Sequence, residues 1–159
     1  MGQEIERKYL LDHPKWQQFD KPKGERYRQG YILTDPEKTI RIRVTETHGY
    51  LTIKGLNKGA TRPEYEYEIP IAEAEELLDK FAISELSKIR YKIPFKGKLW
   101  EVDQFLGDNE GLIVAEIELQ SEDEQYDLPE WIGKEVTGEE KYYNSTLTLH
   151  PFKDWKERA

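Results

Sequence analysis

The chain has 159 residues, room for one domain with a real core or a closed barrel; 35% are charged, 36% hydrophobic and 12% aromatic. A formal net charge of -8 argues against a nucleic-acid partner, which would want a basic surface. There is no cysteine, which excludes disulfides, thiolate zinc sites and cysteine nucleophiles.

No apolar run approaches the roughly 18 residues of a membrane span. The start, charged from Glu4 onward, lacks the apolar core of a signal peptide. A cytoplasmic protein with no membrane partner is therefore expected.

In chain order, alternation or β-rich composition predicts strands over 3–11, 25–33, 39–47, 50–56, 63–71, 87–95, 99–106 and 112–120. Turn chemistry separates them at Asp35-Pro36, His48-Gly49, Lys58-Gly59, Lys96-Gly97 and Asp108-Asn109-Glu110-Gly111. Several connections are short, so neighbours are expected to be antiparallel hairpins. Residues 14–19 read as one short helical turn. Residues 72–81 read as a helix with Leu77, Leu78 and Phe81 on its apolar side. Thr137 and Glu140 resemble a capping box opening a helix over about 139–148. With no linker and no domain-sized repeat, residues 1–159 read as a single, mainly β (α+β) domain.

Charge parity in these strands points to function. Side chains repeat every two residues along a strand, so Glu4, Glu6 and Lys8 share one face. So do Arg41 and Arg43, with Ile40, Ile42 and Val44 on the other side, and likewise Thr52 and Lys54 opposite Leu51 and Ile53. Glu64, Glu66 and Glu68 alternate with Tyr65, Tyr67 and Ile69, and Lys88, Arg90 and Lys92 with Ile89, Tyr91 and Ile93. Glu101 and Asp103 flank Val102; Glu116 and Glu118 alternate with Ala115, Ile117 and Leu119.

An antiparallel sheet with one wet face would give the same alternation. Wet faces, however, mix Ser, Thr, Gln and Asn with both charge signs, whereas here the signs are sorted strand by strand. That sorting favours an eight-stranded antiparallel barrel closed around a charged lumen, its apolar face outward under peripheral helices.

Charges lining a lumen are costly unless paired or liganded. Lys8, Arg41, Arg43, Lys54, Lys88 and Arg90 call for a dense anion. Glu4, Glu6, Glu64, Glu66, Glu101, Asp103, Glu116 and Glu118 call for cations. A triphosphate with one or two divalent metals supplies both, and an all-oxygen donor set suits Mg2+ or Mn2+ rather than zinc.

These residues also resemble a known family. Glu4-Ile-Glu6-Arg-Lys8 is similar to the E-x-E-x-K signature of the CYTH domain, or triphosphate tunnel metalloenzyme, superfamily. Arg41-Ile-Arg43, Thr52-Ile-Lys54, Glu64-Tyr-Glu66, Lys88-Ile-Arg90-Tyr91, Glu101-Val-Asp103-Gln-Phe105 and Glu116-Ile-Glu118 resemble its later elements in order, over nearly the whole chain. The resemblance implies an eight-stranded tunnel and metal-dependent chemistry at a triphosphate. By the same resemblance Glu4, Glu6, Glu116 and Glu118 would hold metal. Lys8, Arg41, Arg43, Lys54, Lys88 and Arg90 would hold phosphates. Glu64, Glu66 and Asp103 would support a second metal or orient the basic residues. The segment with Tyr142, Tyr143 and Asn144 would close one tunnel mouth.

Inward charge directed at phosphate and metal favours inorganic tripolyphosphate as substrate, cleaved by in-line attack of a metal-activated water. Thiamine triphosphate, a nucleoside triphosphate, ATP cyclisation and a non-catalytic polyphosphate-binding role are the alternatives. Tyr27, Tyr31 and Trp131 could stack on a base but read better as packing. His13, His48 and His150 read as surface residues. Gly55-Leu-Asn-Lys58-Gly59 is not a Walker loop and reads as a mobile basic hairpin tip. The outward apolar face, with Trp100, is a candidate homodimer surface.

Overall fold

A computed structural model describes residues 2–35 and 37–155. Eight strands close into an antiparallel barrel: β1 (Gln3–Leu11), β2 (Glu25–Asp35), β3 (Lys38–Val44), β4 (Gly49–Gly55), β5 (Thr61–Ile69), β6 (Ser84–Phe95), β7 (Lys98–Phe105) and β8 (Ile113–Glu118). Neighbours run β5-β4-β3-β2-β6-β7-β8-β1, and β1 closes the ring on β5. Pro36, in the predicted Asp35-Pro36 turn, lies outside the described residues.

Closure on β5 is short: only Gln3, Glu4 and Ile5 face Pro63, Arg62 and Thr61. Farther along, the same edge of β1 is covered by β9 (Ile132–Glu135), a strand that sequence alternation did not signal because its four residues carry no apolar repeat. Between the two, the Lys8 amide donates to Thr137 Oγ1 (2.9 Å) and the Val136 amide to the Lys8 carbonyl (2.8 Å). These bonds satisfy edge groups that would otherwise be orphaned.

The apolar faces point outward, as the alternation predicts. On one side α1 (His13–Gln18), capped by Asp12 accepting from the Lys15 amide, lays Trp16 over Tyr91 and Trp131. Trp100 sits beneath them, 0% exposed, so it is core and not available to a dimer. On another side α2 (Ile71–Phe81) presses Ala74 and Leu78 onto Ile42. Its close seat depends on Gly30, where any Cβ would come within 2.8 Å of Leu78. The apolar side of α2 is thus Ala74 and Leu78 with Leu77 partly buried, while Phe81, expected there, is exposed. Ile53, Tyr65 and Tyr67, on the outer face of β4 and β5, remain exposed.

The inward face changes character along the barrel. Leu10, Leu86, Phe105 and Val114 share the parity of the charged residues but form an apolar floor. Tyr142, Leu147 and Phe152 of the C-terminal segment pack into it. The helix expected over 139–148 is a 3-10 turn (Glu140–Tyr142) followed by α3 (Asn144–Leu149). Thr137 caps neither, because its hydroxyl serves the β1 edge and donates to Glu135. Among the described residues no helix is long and apolar enough to cross a membrane.

The floor yields a test. Leu147→Ala should empty a well-packed site and cost about 2–5 kcal/mol of stability in urea unfolding; a loss under about 0.5 kcal/mol would mean that the segment is not packed as described.

Candidate active site

Antiparallel pairing carries the inward parity of each strand to its neighbour. Lys8 lies opposite Glu116, which lies opposite Glu101 on β7. Glu6 lies opposite Glu118, Arg90 opposite Asp103, Lys54 opposite Glu64, and Thr52 opposite both Arg41 and Glu66. Together they enclose a cavity of about 230 Å³. It is lined by Glu4, Glu6, Lys8, Arg41, Arg43, Lys54, Glu64, Glu66, Lys88, Arg90, Glu101, Glu116 and Glu118, so nearly every inward residue read from the sequence reaches it.

Asp103 is the exception. It lies behind the cavity wall and accepts from Arg90 Nε (2.7 Å), Arg90 Nη2 (2.9 Å) and Lys88 Nζ (2.7 Å). Of the two roles expected for it, orienting basic residues and helping a second metal, the geometry serves the first. Burial disfavours its charge, but Arg90 and Lys88 outweigh that and hold its carboxyl far below the usual carboxylate range. Glu68 shares the parity of Glu64 and Glu66 but sits at the rim, exposed, near His48. Among the described residues no histidine lines the cavity.

The cations are held in place by defined partners. Lys88 also donates to Asn144 Oδ1 (2.7 Å), which accepts from Gln29 Nε2 as well, and Gln29 Oε1 accepts from Arg43 Nε (3.1 Å). The first residue of α3 thereby joins Lys88 to Arg43. Arg43 and Arg90 both face the Tyr27 ring, at 5.1 and 5.2 Å, so Tyr27 is committed to cations and not free for a base. Tyr31 lines the cavity, and Trp131 belongs to the outer core. Burial, with Arg41 and Arg90 close by, pulls Arg43 down to about 10. Arg41 donates to Thr52 and Glu66, yet its buried Nε has no partner. A buried, orphaned guanidinium nitrogen beside a cavity fits an anionic ligand.

The carboxylates are crowded. Lys54 Nζ donates to Glu4 (2.9 Å) and pairs with Glu64 (3.4 Å). Although burial works against its charge, that contact with Lys54 brings Glu4 below the ordinary value. Burial is overcome likewise at Glu116, which Lys8 and Arg90 take down to about 2. Glu6 goes the other way: burial, then Glu116 and Glu4, push it well above the usual carboxyl range. Burial and neighbouring carboxylates also raise Glu64 and Glu118. Among the described residues no three acidic groups stand as a ready-made metal cluster. The donor set still fits a hard divalent cation: all oxygen, mutually repelling, and relieved by added positive charge.

The sequence reading missed several lining residues. Arg62 has the parity of Glu64 and Glu66, but the predicted strand begins at Pro63, two residues after the observed start at Thr61. Thr39 and Asn144 are uncharged and give no signal of sorted charge, and Tyr31, read as packing, lines the cavity as well. The 56–59 tip is tethered, since Asn57 Nδ2 donates to Tyr143 Oη (3.0 Å) and to the Gly59 carbonyl.

The CYTH domain family model matches residues 2–149. The chain belongs to the CYTH domain family. An inorganic triphosphatase of Acetivibrio thermocellus is 49% identical over 158 residues, spanning 99% of this chain and 100% of that protein. An inorganic triphosphatase of Nitrosomonas europaea is 36% identical over 155 residues, spanning 92% of this chain and 97% of that one. The crystal structure of the inorganic triphosphatase NE1496 is similar at a TM-score of 0.63 and 32% identity, over 91% of this chain and 97% of that chain. The closed eight-stranded barrel is the CYTH fold.

Two outcomes are expected of this CYTH site. Asp103→Asn leaves Lys88 and Arg90 buried without their counter-charge and should cost about 3–5 kcal/mol in urea unfolding; an unchanged midpoint would show that the pairs are dispensable. Glu6, Glu64 and Glu118 bind protons more tightly folded than unfolded. Their contribution is therefore full below the ordinary carboxyl value and lost as pH rises through their raised folded values. Mg2+ should raise the melting temperature more at about pH 8 than at about pH 5, and this difference should shrink in Glu6→Gln. An equal rise at both pH values would rule out cation binding by the crowded carboxylates.

Proposed function

We propose that this chain is a divalent-metal-dependent triphosphatase that cleaves inorganic tripolyphosphate to pyrophosphate and phosphate. One observation carries the reading: seven cations and seven carboxylates line a single small cavity. A bare polyanion would suit a purely basic cavity, whereas a triphosphate with its counter-cations is nearly neutral as a unit and suits a balanced one. The volume of about 230 Å³ falls below the roughly 300–1,000 Å³ of pockets for drug-sized ligands, which favours an inorganic chain over a nucleotide. The names of the two relatives support the same choice.

Glu4, Glu6, Glu116 and Glu118 would hold Mg2+ or Mn2+, which when bound supplies a water of lowered pKa. Lys8, Arg41, Arg43, Lys54, Lys88 and Arg90 would bind the phosphate oxygens. Asp103, Gln29 and Asn144 fix three of the cavity's cationic side chains, Lys88, Arg90 and Arg43, before substrate arrives, so little reorganisation is left for the transition state. Arg90, held as a fork on Asp103, and Lys88 beside it are placed to balance charge growing on the leaving pyrophosphate. Glu64 and Glu66 orient Lys54 and Arg41.

Phosphate release from tripolyphosphate, ATP and thiamine triphosphate, each with Mg2+, Mn2+ or EDTA, tests this reading. Turnover should be fastest on tripolyphosphate, vanish in EDTA and fall about 100-fold or more in Glu4→Gln. Binding of triphosphate without turnover on any of the three would make the chain a binding module instead.

A further inference from the structure

The cavity cations fall into two groups. Lys54 is paired with Glu4 and Glu64, Arg41 with Glu66, and Lys88 and Arg90 with Asp103. Among the described residues Lys8, Arg43 and Arg62 have no carboxylate within ion-pair distance. Each faces a tyrosine ring instead: Arg43 that of Tyr27, Lys8 and Arg62 that of Tyr143 at 5.2 and 5.8 Å. A ring face attracts a cation without cancelling its charge. The second group therefore keeps its charge available for an anion.

Arg62 belongs to none of the charge pairs read from the sequence. It faces Glu4 across the short β1–β5 pairing, two residues before Glu64 on the inward side. Its Nε donates to the Gly55 carbonyl (3.1 Å), and among the described residues its two terminal nitrogens make no hydrogen bond. The ring that it shares with Lys8 is fixed in turn, since Asn57 Nδ2 donates to Tyr143 Oη. Two cations without a direct ion-pair partner thus converge where the C-terminal segment closes the lumen. A terminal phosphate carries more charge and more free oxygens than an inner one, and a guanidinium fork can bind two of them.

We propose that Arg62 is a seventh phosphate-binding cation, which with Lys8 takes the terminal phosphate lying against the C-terminal segment. The proposal rests on the triphosphatase reading, and two measurements keep the two apart. One is tripolyphosphate hydrolysis with Mg2+, resolved into kcat and KM. The other is calorimetric binding of non-hydrolysable imidotriphosphate with Mg2+. Arg62→Ala should raise KM and weaken imidotriphosphate binding about tenfold or more while changing kcat less than about threefold. Arg62→Lys keeps the charge but loses the fork and the Gly55 bond, and should recover part of the loss. Arg26→Ala, which removes an exposed charge from the outside of β2, should change neither quantity.

The proposal is overturned if Arg62→Ala binds imidotriphosphate like the wild type, or if kcat falls while binding holds. It is also overturned if Arg62→Lys is as weak as Arg62→Ala, which would make Arg62 a pin for the Gly55 turn, or if Arg26→Ala costs as much. A wild type that binds imidotriphosphate but turns over nothing retires the triphosphatase reading alone, and the variants then decide the role of Arg62. A wild type that does not bind it overturns both.

Discussion

Charge balance inside a closed wall is the constraint on which the rest of this structure depends. Lys88 and Asp103, each 1% exposed, are among the most buried residues in the protein. A lone ion at that depth would cost several kcal/mol, and it would discharge rather than stay charged. The barrel meets the constraint largely by register: outside the carboxylate cluster, where Glu6 meets Glu118 and Glu101 meets Glu116, a charged residue faces the opposite sign or a neutral hydrogen-bonding group on a neighbouring strand. Lys54 meets Glu64, Arg90 meets Asp103, Lys8 meets Glu116, and Thr52 stands between Arg41 and Glu66. A slip of one residue in any pair would turn charge outward and apolar side chains inward, so register and site are specified together.

The same alternation forces the rest of the architecture. With the lumen occupied by charge, the apolar core has to lie outside the barrel, and each patch needs its own cover. The Trp16, Trp100 and Trp131 cluster and the α2 seat over Ile42 are two such cores. The third lies inside, at the floor where Leu10, Leu86, Phe105 and Val114 replace the charged residues. There the C-terminal segment acts in two ways: Leu147 fills the floor, and Asn144, at the head of the same helix, holds Lys88 and Gln29. Packing energy that holds the segment down therefore also sets the position of two polar side chains in the site.

Much of this was legible in the sequence because period-2 alternation reports a face directly. The charged parity from Glu4 to Glu118 was enough to place nearly every charged wall residue, and the family pattern gave the strand order its closure. What stayed hidden was of three kinds. Asp103 has the right parity but the wrong depth, since whether a carboxylate reaches the cavity or sits behind a guanidinium depends on side-chain length and tilt. Arg62 fell outside because Pro63 looked like a strand start, although the ladder continues through Thr61. Thr137 imitated a helix cap while serving the edge of β1, a pairing between positions 129 residues apart that no local window contains.

The division between paired and ring-held cations bears on how such a site can be both stable and reactive. Asp103 fixes the geometry of both Lys88 and Arg90 and cancels only one of their two charges. Stacking on Tyr27 or Tyr143 fixes geometry and leaves the charge in place. The crowded carboxylates show the complementary imbalance, with Glu6 and Glu118 directly opposite each other across β1 and β8 and unfavourable until a proton or cation intervenes. The wall is thus close to neutral as a whole but locally unbalanced in two places, one short of anion and one short of cation. A triphosphate carrying its own divalent metal would correct both at once.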